Sequence, residues 1–242
     1  MAVLGVDGWR GQWVGARLEG RTVTLSVLPD AATVLAVPDV EVVGIDMPIG
    51  LSDDGARACD VAARDALRGR GAAGSVFPAP VRAVLAARDY AHARELSRAA
   101  TAGARAPSAQ TWQLVAAIRD LDDALGEPPD PRVVEVHPEL AFRALADGGG
   151  DGAGDGGGDG RGGTAVRDAK GTARGTVQRV RALCHVMDVE DALTGAPVGV
   201  PLTDALDACA AAWSAARLAT GSAACVGDGA LDARGRPMRI CW

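Results

Sequence analysis

The stretch VLGVDGWRGQWVGARL, residues 3–18, places a single carboxylate, Asp7, between an apolar run and a glycine-rich turn. The residues before Asp7 are apolar and partly β-branched, as in a buried strand, and a second run with alternating apolar positions follows Gly11. A third run, RTVTLSVLP (21–29), comes after another turn at Gly20. We therefore predict a meander of three antiparallel strands, with Asp7 at the end of the first.

Two further strands are predicted later in the chain. The stretch VEVVGIDMPIGL (40–51) contains a predicted fourth strand. This strand stops before Pro48, which cannot donate to a strand ladder, and Asp46 lies at its end. PRVVEVHPEL (131–140) is closed by Pro138 in the same way and carries Glu135. A predicted helix, DAATVLAV (30–37), separates the meander from the fourth strand, so the first and fourth strands should pair in parallel through a right-handed crossover.

Parallel pairing would gather acidic side chains at one edge of the sheet. Asp7 and Asp46 should then end neighbouring strands about 4.8 Å apart. Glu135 and, from the long Ala-rich helix PLTDALDACAAAWSAARLATG (201–221), Asp207 or Asp204 could complete the cluster. Like charges this close need a cation, and oxygen ligands suit Mg²⁺ or Mn²⁺. Such a cluster is what two-metal hydrolysis of a phosphodiester requires.

Each of these residues also has an ordinary structural interpretation. An aspartate at a strand end is often a turn former or a helix cap, and Asp204 suits the first turn of a helix. His137 could be a core histidine with satisfied hydrogen bonds. The functional hypothesis rests on several acids falling where one edge of this topology would bring them together.

Composition limits the classes of function. The net charge of -6 argues against coating of nucleic acid by a broad basic surface. The five cysteines are scattered, with no C-x-x-C pair, and predict reduced thiols without a disulfide framework or a zinc site. Neither a basic leader nor an uninterrupted run of about 18 apolar residues occurs, which predicts a cytoplasmic protein that does not enter a membrane.

The pattern predicts a single domain, 1–242, with two insertions. Residues 52–128 are mostly helical in pattern and separate strands four and five. In the first of these helices Arg57, Arg64 and Arg68 recur at helical spacing, and the partners Asp60 and Asp65 predict a solvated, ion-paired face. Residues 147–163, rich in Gly and Asp, have no side chains that could form a core and predict a flexible insertion.

Seven motifs, spread in order over nearly the whole chain, resemble one known family. They are GVDGWRGQWV, GIDMPIGL, RACDVAAR, GSVFPAPVRAVL, SAQTWQL, VVEVHPELAF and DALDACAAAWSAAR. The family is that of the predicted RNase H-like nucleases known as domain of unknown function 429. The resemblance implies an α/β protein with the RNase H-like fold, a mixed five-stranded sheet in the order 3-2-1-4-5 with flanking helices.

The resemblance also implies a metal-dependent nuclease that cleaves a nucleic acid or a nucleotide. Asp7, Asp46, Glu135 and Asp207 would be its catalytic acids, and with Asp204 they would bind Mg²⁺ or Mn²⁺. Cationic, aromatic, hydroxyl, amide and imidazole side chains within or near the motifs suggest substrate contacts. These candidates are Trp9, Arg10, Ser75, Arg82, Gln110, His137 and Lys170.

Two other functions stay open at the level of sequence. A non-catalytic RNase H-like interaction module could keep the acidic pocket without using it. An actin-like ATP-binding phosphotransferase would share the fold but needs a second such domain and a D-x-G-[ST] phosphate loop, whereas DGWRG lacks the Ser or Thr.

Overall fold

A computed structural model describes residues 1–68, 73–147 and 166–242. The strands are β1 (Ala2–Trp9), β2 (Gln12–Glu19), β3 (Thr22–Leu28), β4 (Val43–Ile45), β5 (Val133–Glu135), β6 (Cys225–Val226) and β7 (Ile240–Cys241). The helices are α1 (Ala31–Leu35), α2 (Ala58–Ala66), α3 (Tyr90–Ala100), α4 (Ala109–Ala124), α5 (Pro138–Ala146), α6 (Ala173–Cys184), α7 (Val189–Thr194) and α8 (Leu202–Ala219).

The main sheet has the order β3-β2-β1-β4-β5. Its first three strands form an antiparallel meander, and β1, β4 and β5 run parallel. The predicted mixed α/β sheet, its strand order and its flanking helices are thereby confirmed. The turn between β1 and β2 consists of Arg10 and Gly11, whose φ angles of 50° and 76° are both positive. Two positive φ angles match the right-handed twist of a tight hairpin.

Helix α8 packs against one face of this sheet at very short range. A Cβ atom on Gly5 of β1 would lie 2.0 Å from the backbone nitrogen of Ala212, and one on Gly44 of β4 would lie 2.9 Å from the carbonyl oxygen of Ala211. Only glycine lets the two backbones approach so closely. The alanine-rich centre of α8 is buried as a result and forms the core with the meander and α5.

Helices α1 and α4 cover the opposite face. Val6 and Ile45 of the sheet pack there with Val34 of α1 and with Ile118 and Leu121 of α4. Because successive side chains in a strand point to opposite faces, the two cores are separated by the sheet. Alternate residues of β1 and β4 therefore face α8 on one side of the sheet and α1 and α4 on the other.

The segment between β4 and β5 is largely helical, as predicted for residues 52–128. It contains α2, α3 and α4, joined by irregular backbone and by short 3-10 turns at Ala73–Ser75 and Arg82–Ala86. The predicted Gly/Asp-rich insertion, apart from Asp147, lies outside the described residues. None of the helices in the described ranges combines the length and the apolarity that a membrane crossing requires.

The chain ends in a small antiparallel hairpin, β6–β7, that the sequence did not predict. Cys225 and Cys241 are direct partners in its register and form a disulfide. The prediction that all cysteines are reduced is therefore wrong for these two, while Cys59, Cys184 and Cys209 are free thiols. Cys241 also forms an isolated parallel bridge with Val136, so this separate two-stranded sheet lies beside the end of β5.

Candidate functional site

Strand register brings Asp7 and Asp46 side by side. Val6 of β1 pairs with Ile45 of β4, and the Asp46 amide donates to the Val6 carbonyl at 2.9 Å. The two aspartates follow directly at the carboxyl ends of these parallel strands. Each lies two residues beyond a glycine, Gly5 or Gly44, that faces α8, so alternation turns both carboxylates toward α8 as well.

Helix α8 supplies the third acid. Asp207 lies four residues, about one turn, before Ala211, the residue whose carbonyl contacts Gly44. It is 3% exposed. The helix that packs on the glycines therefore carries Asp207 to the sheet edge where Asp7 and Asp46 end.

Burial and mutual repulsion keep these carboxyl groups from ionising readily. Burial raises the pKa of Asp7 well above its ordinary value, and the charges of Asp46 and Asp207 raise it further. Burial likewise raises the pKa of Asp46 to about 7 and that of Asp207 to about 6, although the positive charge of Lys170 lowers both. At neutral pH the three groups therefore favour a proton or a cation among them.

The protein provides few hydrogen bonds to this cluster. The Gly8 amide donates to Asp7 Oδ1 at 2.8 Å. Lys170 Nζ donates to Asp207 Oδ2 at 2.8 Å, and burial, which disfavours the ammonium, is outweighed by Asp207 so that the pKa of Lys170 is raised. Within the described ranges, no donor forms a hydrogen bond to the Asp46 side chain. Asp7 and Asp46 therefore keep most of their acceptor capacity free.

The arrangement does not by itself form a complete metal cage. In the part of the chain that the structure describes, no group of three or more His, Cys, Asp or Glu side chains is disposed to hold an ion. The carboxylates available to a cation are those of Asp7 and Asp46, because Asp207 is bound by Lys170. A cation here would need water or a substrate oxygen to complete its ligands.

Glu135 belongs to the other face of the sheet, although it lines the same cavity as the three acids. It pairs with Ile45, one residue before Asp46, and alternation therefore turns it away from α8. Arg57 donates to both of its carboxylate oxygens at 2.7 and 2.8 Å, and the Ile49 amide donates to Oε2 at 2.7 Å. The sequence placed Glu135 with the catalytic acids, but the structure gives it the role of holding a buried arginine.

The same arginine overturns one expectation for α2. Arg57 and Asp60 are each 2% exposed and form an ion pair, so they do not belong to a solvated face. The pair of Arg68 and Asp65 does lie in solvent as expected. The helical spacing alone could not separate these cases, because the partners that Arg57 has in the interior include Glu135, 78 positions away in the chain.

Glu139, in the first turn of α5, is an acid of the site that sequence reasoning missed. Its charge raises the pKa of Asp46 and Asp207, after the larger effect of burial on both. Both of its oxygens accept from Arg179, at 2.7 and 3.0 Å. A signal was available, since Glu139 lies four residues after Glu135 in the motif that the family resemblance singled out.

His137 lies at the N-cap of α5 and faces the acids. Burial lowers its pKa, against the opposing effect of Glu139 and a hydrogen bond with the Ser75 backbone. Its Nδ1 atom is buried and has no hydrogen-bond partner in the described ranges. The ring is thus neutral at neutral pH and has one nitrogen to spare.

These groups line one cavity of about 170 Å³, which we call the acidic cavity. Six carboxylates line it, together with Arg57, Lys170, His137 and Ser75. The carboxylates are Asp7, Asp46, Asp60, Glu135, Glu139 and Asp207. Of the predicted substrate contacts, the structure thus brings Ser75, His137 and Lys170 to the acids.

The remaining candidates lie elsewhere. Trp9 and Arg10 do not line the acidic cavity, and the Arg10 guanidinium stacks 5.8 Å from the centre of the Trp9 ring. Gln110 is exposed at the start of α4, outside the cavity. Asp204, one turn before Asp207, does not line the cavity and accepts a hydrogen bond from Thr203 at 3.0 Å. It is nevertheless close enough to the acids for its charge to raise the pKa of Asp7, after the larger effects of burial, Asp46 and Asp207.

Arg82 belongs to a separate network of charges. It forms ion pairs with Asp122 and Asp232, and Arg234 and Arg236 also bind Asp122. The network fastens the segment before β7 to α4. Its position away from the acidic cavity leaves the predicted substrate contact of Arg82 without support in the geometry.

Comparison with known proteins identifies the family. A family model described as "Protein of unknown function (DUF429)" matches residues 5–231, a range that includes Asp7, Asp46, Lys170 and Asp207. No curated protein and no solved structure shows a significant match to the chain. Because the matched range covers nearly the whole sequence, the chain belongs to the DUF429 family of proteins of unknown function.

Proposed function

We propose that this protein is a metal-dependent phosphodiesterase of RNase H-like architecture that cleaves a nucleic acid or a nucleotide. The observation that carries the proposal is the pair of carboxylates, Asp7 and Asp46, at the ends of adjacent parallel strands. Strand order 3-2-1-4-5 with this pair at its centre supports the RNase H-like assignment.

The donor chemistry fits Mg²⁺ or Mn²⁺. Two aligned carboxylates with raised pKa values and few protein donors form a site that a cation would stabilise. Mg²⁺ is commonly held by one or two carboxylates and completes its ligands with water and substrate phosphate. Asp7 and Asp46 would hold the ion, and a second ion, as in two-metal hydrolysis, would require Asp207 to leave Lys170.

When bound, the ion would supply Lewis-acid activation of a phosphate ester and of the attacking water. Lys170 holds Asp207 beside the pair and brings a positive charge toward the position of a phosphate. His137 Nδ1, neutral and unpartnered within the described ranges, can accept a proton in the same cavity. Residues of the chain thus provide the binding, charge and proton acceptance that phosphodiester cleavage needs.

Metal binding is the first test. Titration calorimetry with Mn²⁺ alone should show binding to the natural protein, with an accompanying rise in Tm, because an ion that binds only the native state stabilises it. Asp7→Asn and Asp46→Asn should abolish both effects. Asp53→Asn, which changes an exposed acid outside the cavity, should keep them. Retention of Mn²⁺ binding in both site variants would contradict the proposal.

Catalysis is the second test. Hydrolysis of bis(p-nitrophenyl) phosphate and of labelled single-stranded RNA and DNA should depend on Mn²⁺ or Mg²⁺. Loss of several kcal/mol of transition-state stabilisation in Asp46→Asn would lower the rate at least about 100-fold. If the natural protein binds Mn²⁺ but cleaves none of these esters, the non-catalytic interaction module is the better interpretation.

A further inference from the structure

A second cavity, of about 280 Å³, adjoins the acidic one. It lies between the start of α5, helix α6 and the segment Val166–Lys170, and we call it the basic cavity. Ser75, Glu139 and Lys170 line both cavities. A molecule bound at the acids could therefore extend into this second space.

The two cavities carry opposite charge. Four cationic side chains line the basic cavity: Arg143, Arg167, Lys170 and Arg179. Its two carboxylates already have partners: Glu139 accepts from Arg179, and Asp168 accepts from Gln178 at 2.7 Å. Lys170 and Arg143 are paired with acids outside this cavity, Asp207 at 2.8 Å and Asp147 at 3.6 Å, so within the described ranges Arg167 is the lining cation whose guanidinium has no acid partner.

Two of these cations have hydrogen-bonding capacity left over. Arg179 is 4% exposed, and its Nε atom is buried with no partner in the described ranges. Arg167 is exposed, and its guanidinium makes no hydrogen bond or ion pair with any described residue. Buried donors are normally satisfied, but Arg82, Arg217 and Arg236 also have an Nε with no described partner, so this atom alone does not mark a site. What distinguishes this cavity is that the free guanidinium of Arg167 lines it together with Arg179.

The wall that carries Arg167 and Lys170 is fixed to α6 by hydrogen bonds. Gln178 Oε1 accepts from the amides of Arg167 and Asp168, both at 3.0 Å, and Arg179 donates to the Asp168 carbonyl at 3.0 Å. A Cβ on Gly175 would lie 2.1 Å from the Ala169 carbonyl oxygen, so the helix backbone abuts this segment directly. The backbones of the two cationic residues therefore have defined positions.

We propose that the basic cavity binds a terminal phosphate of the substrate. The proposal rests on the proposed function, because it assigns the acidic cavity to the ester that is cleaved. A phosphate monoester offers several acceptor oxygens and about two negative charges, which match the guanidinium groups of Arg167 and Arg179. The ammonium of Lys170 could join them only by releasing Asp207. The volume is slightly below the ~300 Å³ at which sites for drug-sized ligands begin, which suits one phosphate and its sugar but not a duplex.

The test compares ligands that differ only in the terminal phosphate, in EDTA so that nothing is cleaved. The probes for calorimetry are the dinucleotide TpT and its 5′-phosphorylated and 3′-phosphorylated forms, and a single-stranded 20-mer with and without each phosphate. We expect one phosphorylated form to bind at least about tenfold more tightly than its unphosphorylated partner. A preference in both lengths indicates a short nucleotide, and a preference in the 20-mer alone indicates a strand end.

Two arginine variants separate the site from general charge. Arg167→Ala should remove the phosphate preference, while Arg174→Ala, which removes an exposed arginine of α6 that does not line the cavity, should keep it. Within the described ranges the Arg167 guanidinium makes no hydrogen bond or ion pair, so Arg167→Ala should keep the Tm of the natural protein. Equal affinity for phosphorylated and unphosphorylated probes, or equal losses in both variants, would overturn the proposal.

The outcome can be separated from that of the proposed function. Asp46→Asn should keep the phosphate preference in EDTA, because Asp46 does not line the basic cavity. In the presence of Mn²⁺, Arg167→Ala should raise KM for the phosphorylated substrate and leave kcat near its natural value. Cleavage without a phosphate preference would refute only the proposed phosphate site in the basic cavity. A phosphate preference without cleavage would refute only the proposed phosphodiesterase activity.

Discussion

Replacing Asp46 by Asn should make the protein more stable while it abolishes metal binding. The carboxylate is costly in the folded state, since burial raises the pKa of Asp46 from 3.8 to about 7. A group whose pKa is raised on folding binds its proton more tightly in the native state. The stability that this protonated carboxyl group contributes is therefore fully present below about pH 4 and is lost as the pH rises through 7.

The size of the effect follows from the pKa difference. At about 1.4 kcal/mol for each pKa unit, ionisation of Asp46 at pH 8 destabilises the fold by at most about 4 kcal/mol. At pH 5 the carboxyl group is protonated in the native state and largely ionised in the unfolded state. The destabilisation of the fold by Asp46 is then at most about 2 kcal/mol. Solvent reaches this half-buried side chain, so we expect the gain from Asn to be about 1–2 kcal/mol larger at pH 8 than at pH 5.

Urea denaturation in EDTA at both pH values measures this difference. Asp53→Asn is the matched control, because its side chain is exposed and should show the same small effect at both. Addition of Mg²⁺ at pH 8 should stabilise the natural protein and leave Asp46→Asn unchanged. Equal stability changes at the two pH values, or a loss of stability at pH 8, would refute the argument that the carboxylate is held at a cost for a cation.

Three other substitutions test the frame around the site. Gly5→Ala should cost more than about 3 kcal/mol or prevent folding, because its Cβ meets the backbone of α8 at 2.0 Å, whereas Gly55→Ala, with open space around it, should change the unfolding free energy by less than about 1 kcal/mol. Glu135→Gln should cost about 1.5–3 kcal/mol in urea denaturation, because buried Arg57 loses one of its two carboxylate partners and keeps Asp60; intact stability with lost Mn²⁺ binding would instead make Glu135 a metal ligand. Cys225→Ser should cost about 3 kcal/mol by opening a loop of 16 residues, and an unchanged Tm after reduction of the natural protein would contradict this.

Local sequence signals predicted the strands and the direction of their pairing. Alternation and turn residues marked the meander, and the prolines after Asp46 and Glu135 marked where β4 and β5 stop. Because parallel strands end at a common edge, the neighbouring positions of Asp7 and Asp46 could be inferred from the order of the strands along the chain. Asp207 was recognisable as an unusual acid because its neighbours on α8 are apolar.

What the sequence did not reveal depends on strand register and on long-range partners. Glu135 resembles Asp46 in its sequence context, since each acid lies at the end of a strand. In the sheet, however, Glu135 pairs with Ile45, the residue before Asp46, so the two acids face opposite sides. The same limitation concealed the partnership of Cys225 with Cys241, which depends on a hairpin too short to show a period.

The sequence by itself determined the meander, the parallel pairing of β1 with β4, the positions of the acids along the chain and the alternation that can point two of them to one side, because these follow from backbone sterics and chain connectivity. The full strand order was what the family resemblance implied. Only the tertiary structure decided which carboxylates share a cavity, which are neutralised by Arg57 or Lys170, and where cationic side chains gather beside them. Those outcomes depend on how closely the backbone of α8 packs against Gly5 and Gly44. Such a contact depends on both surfaces, so the pattern of neither segment alone predicts it.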